Sequence, residues 1–121
     1  MELQVKSLER PDETLPLPND SGEVLTVKIA GLEVSRTVLQ PGWRWSNDLR
    51  PIADTVSCEY AHLGTVLAGT MQVEMDDGTQ VTLQAGDVAS IPPGHDAWVV
   101  GEEPVVFFDW TTEEGWGKPP A

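Results

Sequence analysis

Short stretches of alternating hydrophobic and polar residues run through most of the chain. In residues 23–30, Leu25, Val27 and Ile29 occupy every second position, with polar or smaller residues between them. A period of two is typical of a β-strand with one buried face. Similar β-rich stretches predict further strands at 32–39, 62–69, 70–75, 79–83, 88–91, 97–100 and 104–110.

Glycine and proline separate these predicted strands. Asp77 and Gly78 predict a tight hairpin, because both tolerate the positive φ that such a turn requires. In "SIPPGHDAWVVG" the Pro-Pro-Gly sequence predicts a turn before the strand at 97–100. No stretch shows sustained helical periodicity. Many short strands with turns between them predict an all-β sandwich or barrel.

The 121 residues predict a single domain with a substantial apolar core. Residues 1–22 are rich in proline and acidic residues, and we expect an extended N-terminal arm. Residues 23–112 contain the predicted strands and form the barrel domain. Residues 113–121 are expected to be a flexible C-terminal tail.

The charge balance argues against two classes of partner. Seven basic and 20 acidic residues give a formal net charge of −13, which repels nucleic-acid phosphates and anionic membranes. No signal peptide or membrane-length apolar run is visible, so we expect a cytoplasmic protein. Cys58 is the single cysteine and cannot form an intrachain disulfide.

The stretch "GDVASIPPGHDAW" resembles the second motif of the cupin superfamily. Gly86, Pro92 and Gly94 have the spacing of that motif, and Gly69 fits the glycine that ends the first motif. The resemblance implies a double-stranded β-helix, the cupin jelly roll, with a pocket inside one end of the barrel. It also implies a homodimer, since small cupins commonly dimerise.

The metal-binding residues of the family are only partly present, so the metal motif is degenerate. His62 stands where the resemblance places a glutamate ligand, and Ala97 stands where it places a histidine. The preceding His-x-His is replaced by Val56 and Cys58, or by Thr55 and Ser57.

Cys58, His62 and His95 are nevertheless the candidate metal ligands. Two imidazoles and a thiolate suit a divalent transition metal such as zinc, iron, manganese, nickel or copper. A straight strand would separate Cys58 from His62 by roughly 13 Å, so a shared ion requires a bend between them. Without a metal, His62 and His95 are candidate catalytic acid and base, and Asp96 could orient either one.

Aromatic residues near the predicted strand ends are candidate ligand-binding residues. Trp43 and Trp45 are two positions apart, so their rings are expected to share a face while Arg44 points away. Flat apolar walls suit a cyclic ligand or a cation, and an arginine facing the pocket would bind a carboxylate. The predicted ligand-binding set is Trp43, Arg44, Trp45, Tyr60 and Trp98. Core or interface packing is the alternative role for the tryptophans.

The sequence therefore predicts a small cupin that binds or converts a small organic molecule in a barrel pocket lined by tryptophan and histidine. One divalent transition metal belongs to this hypothesis. The alternative is a non-catalytic ligand-binding or sensor protein without a metal. The residues do not decide between an enzyme and a binding protein, and they identify no substrate.

Overall fold

The computed structural model describes residues 2–110, and strands are the main regular elements. A three-residue 3-10 helix (Pro18–Asp20) follows the first strand. The other elements are nine strands and two short α-helices. They are β1 (Glu13–Pro16), β2 (Gly22–Ile29), β3 (Leu32–Leu39), α1 (Trp45–Asp48), α2 (Arg50–Ala53), β4 (His62–Ala68), β5 (Thr70–Met75), β6 (Gln80–Gln84), β7 (Val88–Ile91), β8 (His95–Val100) and β9 (Val105–Asp109).

The strands form two antiparallel sheets. The larger sheet has the order β1-β2-β3-β9-β4-β7, and the smaller has the order β6-β5-β8. Buried side chains from both sheets belong to one core cluster, so the sheets pack face to face. The all-β prediction, with a jelly-roll arrangement of two sheets, is confirmed.

Alternation along each strand separates the core from the surface. In β8, His95, Ala97 and Val99 are buried, whereas Asp96 and Trp98 are only partly buried. In β9, Val105, Phe107 and Asp109 are likewise buried. Every second residue of these two strands therefore faces the space between the sheets.

The chain differs from the expectation in two segments. Within the expected N-terminal arm, Glu13–Pro16 pairs with β2 as an edge strand of the larger sheet. Between β3 and β4, where no helix was expected, α1 and α2 have four residues each. Such short helices leave too few positions for a periodic signal. The expected tail at 113–121 lies outside the described residues.

Among residues 2–110, no helix is long and apolar enough to cross a membrane.

Candidate metal centre and its cavity

Cys58, His62 and His95 lie together at the inner surface of the barrel. One ligand atom from each residue lies within 4.8 Å of the other two. Cys58 Sγ and His62 Nε2 are 3.8 Å apart, and the two imidazole centroids are 5.4 Å apart. The three residues proposed from the sequence as metal ligands therefore converge.

Convergence depends on a bend in the chain after Cys58. Residues 59–61 belong to no strand, and β4 begins at His62. Cys58 itself forms an isolated bridge with His95. Its N–H donates to the His95 carbonyl at 2.7 Å, and its carbonyl accepts from the Gly94 N–H at 2.7 Å. The turn before β8 thus holds Cys58 beside His95.

The two imidazoles are oriented by their Nδ1 atoms. Nδ1 of His95 donates to the carbonyl oxygen of Pro92 at 2.8 Å, because a carbonyl can only accept. Nδ1 of His62 donates a hydrogen bond to Oδ2 of Asp109 at 2.9 Å. Metal-binding histidines are commonly held in this way, with Nε2 left for the ion. The donor set therefore fits a transition metal.

Burial and hydrogen bonding act in opposite directions on the titration of the cluster. Burial would raise the pKa of the Cys58 thiol, but interactions with His62 and His95 outweigh it and lower the pKa to about 6. Burial would lower the pKa of His62, but Asp109 and Cys58 raise it to about 9. Between these values the site holds a thiolate beside an imidazolium.

A cavity of about 90 Å³ opens in front of the cluster. Residues from both sheets and from the α1 region form its wall. They are Glu13, Val24, Glu33, Ser35, Thr37, Leu39, Trp43, Trp45, Tyr60, Ala61, His62, Met71, Ile91, His95, Ala97, Phe107 and Asp109. A concave, mostly apolar cavity with a few convergent polar groups is typical of a small-molecule site.

Three of the five predicted ligand-binding residues line this cavity. They are Trp43, Trp45 and Tyr60, and both tryptophans are buried. Nε1 of Trp43 has no hydrogen-bond partner within the described part of the chain. A buried donor of this kind is unusual in a folded protein and is consistent with a site that a ligand completes.

The other two predicted residues, Arg44 and Trp98, lie outside the cavity. The alternation of β8 turns Trp98 away from the core, and the Arg44 guanidinium carbon stacks 4.2 Å from its ring centroid. Arg44 also pairs with Asp96 at 3.2 Å. Asp96 is therefore engaged on the outer face and does not orient either histidine. The expectation that Arg44 points away from Trp43 and Trp45 agrees with this arrangement.

Asp109 is a site residue that the sequence reasoning missed. It ends β9 and is buried beside His62, although 47 positions separate them in the chain. The alternation Val105, Phe107, Asp109 was the available signal, because it places a carboxylate at the end of an apolar, inward-facing row. A buried carboxylate needs a partner, and His62 is that partner.

A model of the cupin domain matches residues 58–111 of this chain. No curated protein sequence matches. Among solved structures, one similar protein is described as a sugar phosphate isomerase of a cupin superfamily, and it comes from Silicibacter pomeroyi. It has a TM-score of 0.65 and 18% identity, and the match covers 92% of this chain and 76% of that one.

Two further structures show the same fold. An uncharacterised Klebsiella pneumoniae protein with a double-stranded β-helix domain has a TM-score of 0.58 and 24% identity, with 90% of this chain and 84% of that one covered. KdgF from a Halomonas species has a TM-score of 0.56 and 17% identity, with 78% and 81% covered. At these identities the likeness concerns the fold alone.

Proposed function

We propose that this chain, which has the cupin fold and matches a model of the cupin domain over residues 58–111, binds one divalent transition-metal ion at Cys58, His62 and His95. The cavity beside the ion then binds or converts a small organic molecule. The observation that carries the proposal is the convergence of three ligand atoms within 4.8 Å inside the barrel. The orientation of both imidazoles through Nδ1 supports it.

The chemistry of the donors limits the choice of ion. A thiolate with two imidazoles favours zinc, copper, nickel or iron(II), whereas magnesium and calcium prefer oxygen ligands. Three protein ligands also leave a coordination position for water or a ligand, as in catalytic zinc sites. When bound, the ion would act as a Lewis acid toward a molecule in the cavity.

The names of the similar structures do not supply the substrate. The Silicibacter protein is called a sugar phosphate isomerase. A phosphate group is usually bound by arginine or lysine, and neither type occurs among the described residues that line this cavity. We therefore do not extend that substrate class to this chain.

Elemental analysis tests the metal proposal directly. Protein purified without chelator or nickel resin is expected to contain one equivalent of a transition metal. After cobalt(II) replacement, a thiolate-to-metal absorption band is expected, and it should disappear in Cys58→Ser. His62→Gln and His95→Gln should each lose most of the metal.

Glu74→Gln is the control, because the Glu74 side chain accepts a hydrogen bond from Gln80 and lies on the opposite face of β5 from the buried Val73. It should retain the metal of the native protein. Failure of the native protein to bind any transition metal, even after reconstitution, would overturn the proposal.

A second candidate function follows from the contact between Cys58 and His62. Cys58 Sγ lies 3.8 Å from His62 Nε2, and Asp109 contacts Nδ1 of the same ring. The three side chains therefore have the order of a nucleophile, a base and a carboxylate that orients the base. In a metal-free protein this arrangement would make Cys58 a nucleophile. Metal-free native protein that is inactivated stoichiometrically by a thiol-alkylating substrate analogue would favour this candidate.

A further inference from the structure

We propose that the ligand of the cavity is a small organic cation, with an ammonium group at the carboxylate end and an apolar body against the opposite wall. The inference rests on the proposed function in one respect, namely that this cavity is the ligand site. Three features support it: the charges of the lining, the position of these charges along the cavity and the aromatic residues that line the same cavity.

The charged side chains of the lining are mainly acidic. Glu13, Glu33 and Asp109 line the cavity, and among the 17 described lining residues there is no lysine or arginine. Two arginines, one within the lining strand β3 and one shortly after it, are engaged elsewhere. Arg36 pairs with Glu9 at 3.0 Å, and Arg44 pairs with Asp96. An anionic ligand would therefore find no lysine or arginine in the described wall, and the imidazole of His62 is already paired with Asp109.

Strand register places the carboxylates at one end of the cavity. Ser35 of β3 pairs with Asp109 of β9, and Glu33 lies two positions further along the same inward-facing row. Across the sheet, Glu13 is paired with Thr26, which is paired in turn with Ser35. The three carboxylates therefore gather around Ser35, at the end where Asp109 contacts His62.

The other end of the same row is apolar. Two positions beyond Ser35, Thr37 pairs with Phe107, and Leu39 ends the strand next to Val105. Met71 contributes to the same wall from the smaller sheet. The cavity is thus acidic at one end and apolar at the other, which matches a molecule with a cationic head and a hydrocarbon body.

Aromatic rings add a second means of recognising a cation. Trp43, Trp45 and Tyr60 line the cavity. The face of an aromatic ring attracts a cation, and indole is the strongest of the side-chain rings in this respect. Aromatic rings together with carboxylates favour an ammonium group over an uncharged group of the same shape.

A bound metal ion would not reverse this preference. A divalent ion with the Cys58 thiolate carries a formal charge of +1, and the carboxylates of Glu13, Glu33 and Asp109 bring the total to −2. The chain as a whole carries a formal charge of −13. Its long-range field therefore also attracts cations toward the barrel.

Three probes of nearly equal shape test the inference. Choline is a permanent cation whose nitrogen has no lone pair for a metal, 3,3-dimethyl-1-butanol is its uncharged isostere, and 3,3-dimethylbutanoate is a related anion. We expect choline to bind at least about tenfold more tightly than the alcohol, and the alcohol more tightly than the anion. Calorimetric titration of the native, metal-analysed protein gives the three dissociation constants.

Matched variants assign the effect to the cavity. The double variant Glu13→Gln/Glu33→Gln is expected to weaken choline binding by about tenfold and to leave the alcohol within about twofold. Glu23→Gln is the control, because Glu23 lies on β2 but does not line the cavity. Equal affinity for the cation and the alcohol, tighter binding of the anion, or an unchanged choline affinity in the double variant would overturn the inference.

Metal content and probe preference separate the two proposals. A metal-loaded protein that prefers the anion contradicts the cation inference and leaves the metal proposal intact. A protein without metal that still prefers choline contradicts the metal proposal and supports the cation inference.

Discussion

At the scale of single residues, Cys58 is the sulfur donor of the proposed metal site. Its side chain is completely buried, yet two imidazoles lie within contact distance. A buried cysteine is more often an inert hydrophobic residue. The neighbouring histidines change this, because they stabilise the thiolate more than burial destabilises it.

Titration of the metal-free protein tests this balance. Thiolate absorbance in the near ultraviolet is expected to appear as the pH rises through about 6, since the histidines lower the Cys58 pKa to that value. Below it the thiol is protonated, and above it the thiolate pairs with the imidazolium of His62.

Two variants serve as controls for this titration. Cys58→Ser should abolish the signal, and His62→Gln should move the midpoint to higher pH because one stabilising partner is removed. A midpoint in the native protein near the ordinary thiol value of 9.0 would contradict the prediction.

At the scale of elements, the pairing of β4 with β9 brings His62 and Asp109 together. Gly64 sits opposite Asp109 in this pairing, two positions after His62. A Cβ at Gly64 would meet the Phe108 carbonyl oxygen and would lie 2.8 Å from atoms of the Phe107 ring. The close approach of the two strands therefore requires glycine at this position.

Gly64→Ala is expected to lower the free energy of unfolding by about 3 kcal/mol, because backbone as well as side-chain atoms would have to shift. The metal affinity should fall with it, since the same pairing positions His62 and Asp109. Chemical denaturation and metal titration measure the two effects.

Gly101→Ala is the control. Gly101 has a φ of 85°, but a Cβ added there would meet nothing within 4 Å, so only backbone strain of about 1 kcal/mol is expected. Equal stability losses in the two variants would contradict the steric explanation.

The sequence predicted the strands better than it predicted the contacts between them. Alternation is a local signal, so β2 and β3 were predicted nearly to the residue, and the Pro-Pro-Gly turn was placed correctly before β8. The bend after Cys58 and the contact of His62 with Asp109 depend on pairing between distant segments. No local pattern encodes such pairing. The sequence also did not indicate that Trp98 lies outside the cavity, because whether its side chain faces inward or outward depends on where β8 begins.

At the scale of the whole molecule, the formal charge of −13 is the dominant property. Like charges on one compact domain repel each other and destabilise the folded state. Raising NaCl from about 0.01 M to about 0.1 M shortens the Debye length from about 30 Å to about 10 Å. We expect the thermal midpoint to rise by several degrees over this range.

A charge variant provides the comparison for the salt prediction. Glu102→Lys/Glu103→Lys changes two exposed loop residues and brings the formal charge from −13 to −9. Its thermal midpoint should be higher at low salt and should respond less to added NaCl. A midpoint that falls with salt in the native protein would contradict the electrostatic explanation.

The two short hydrogen bonds between Cys58 and the turn before β8 have a further consequence. They fix the main chain of Cys58 relative to that of His95, so the backbone positions of these two residues are set when the barrel folds and not when an ion arrives. A preorganised frame of this kind adapts little to its occupant. We therefore expect the site to select among metal ions by their radius and preferred coordination geometry.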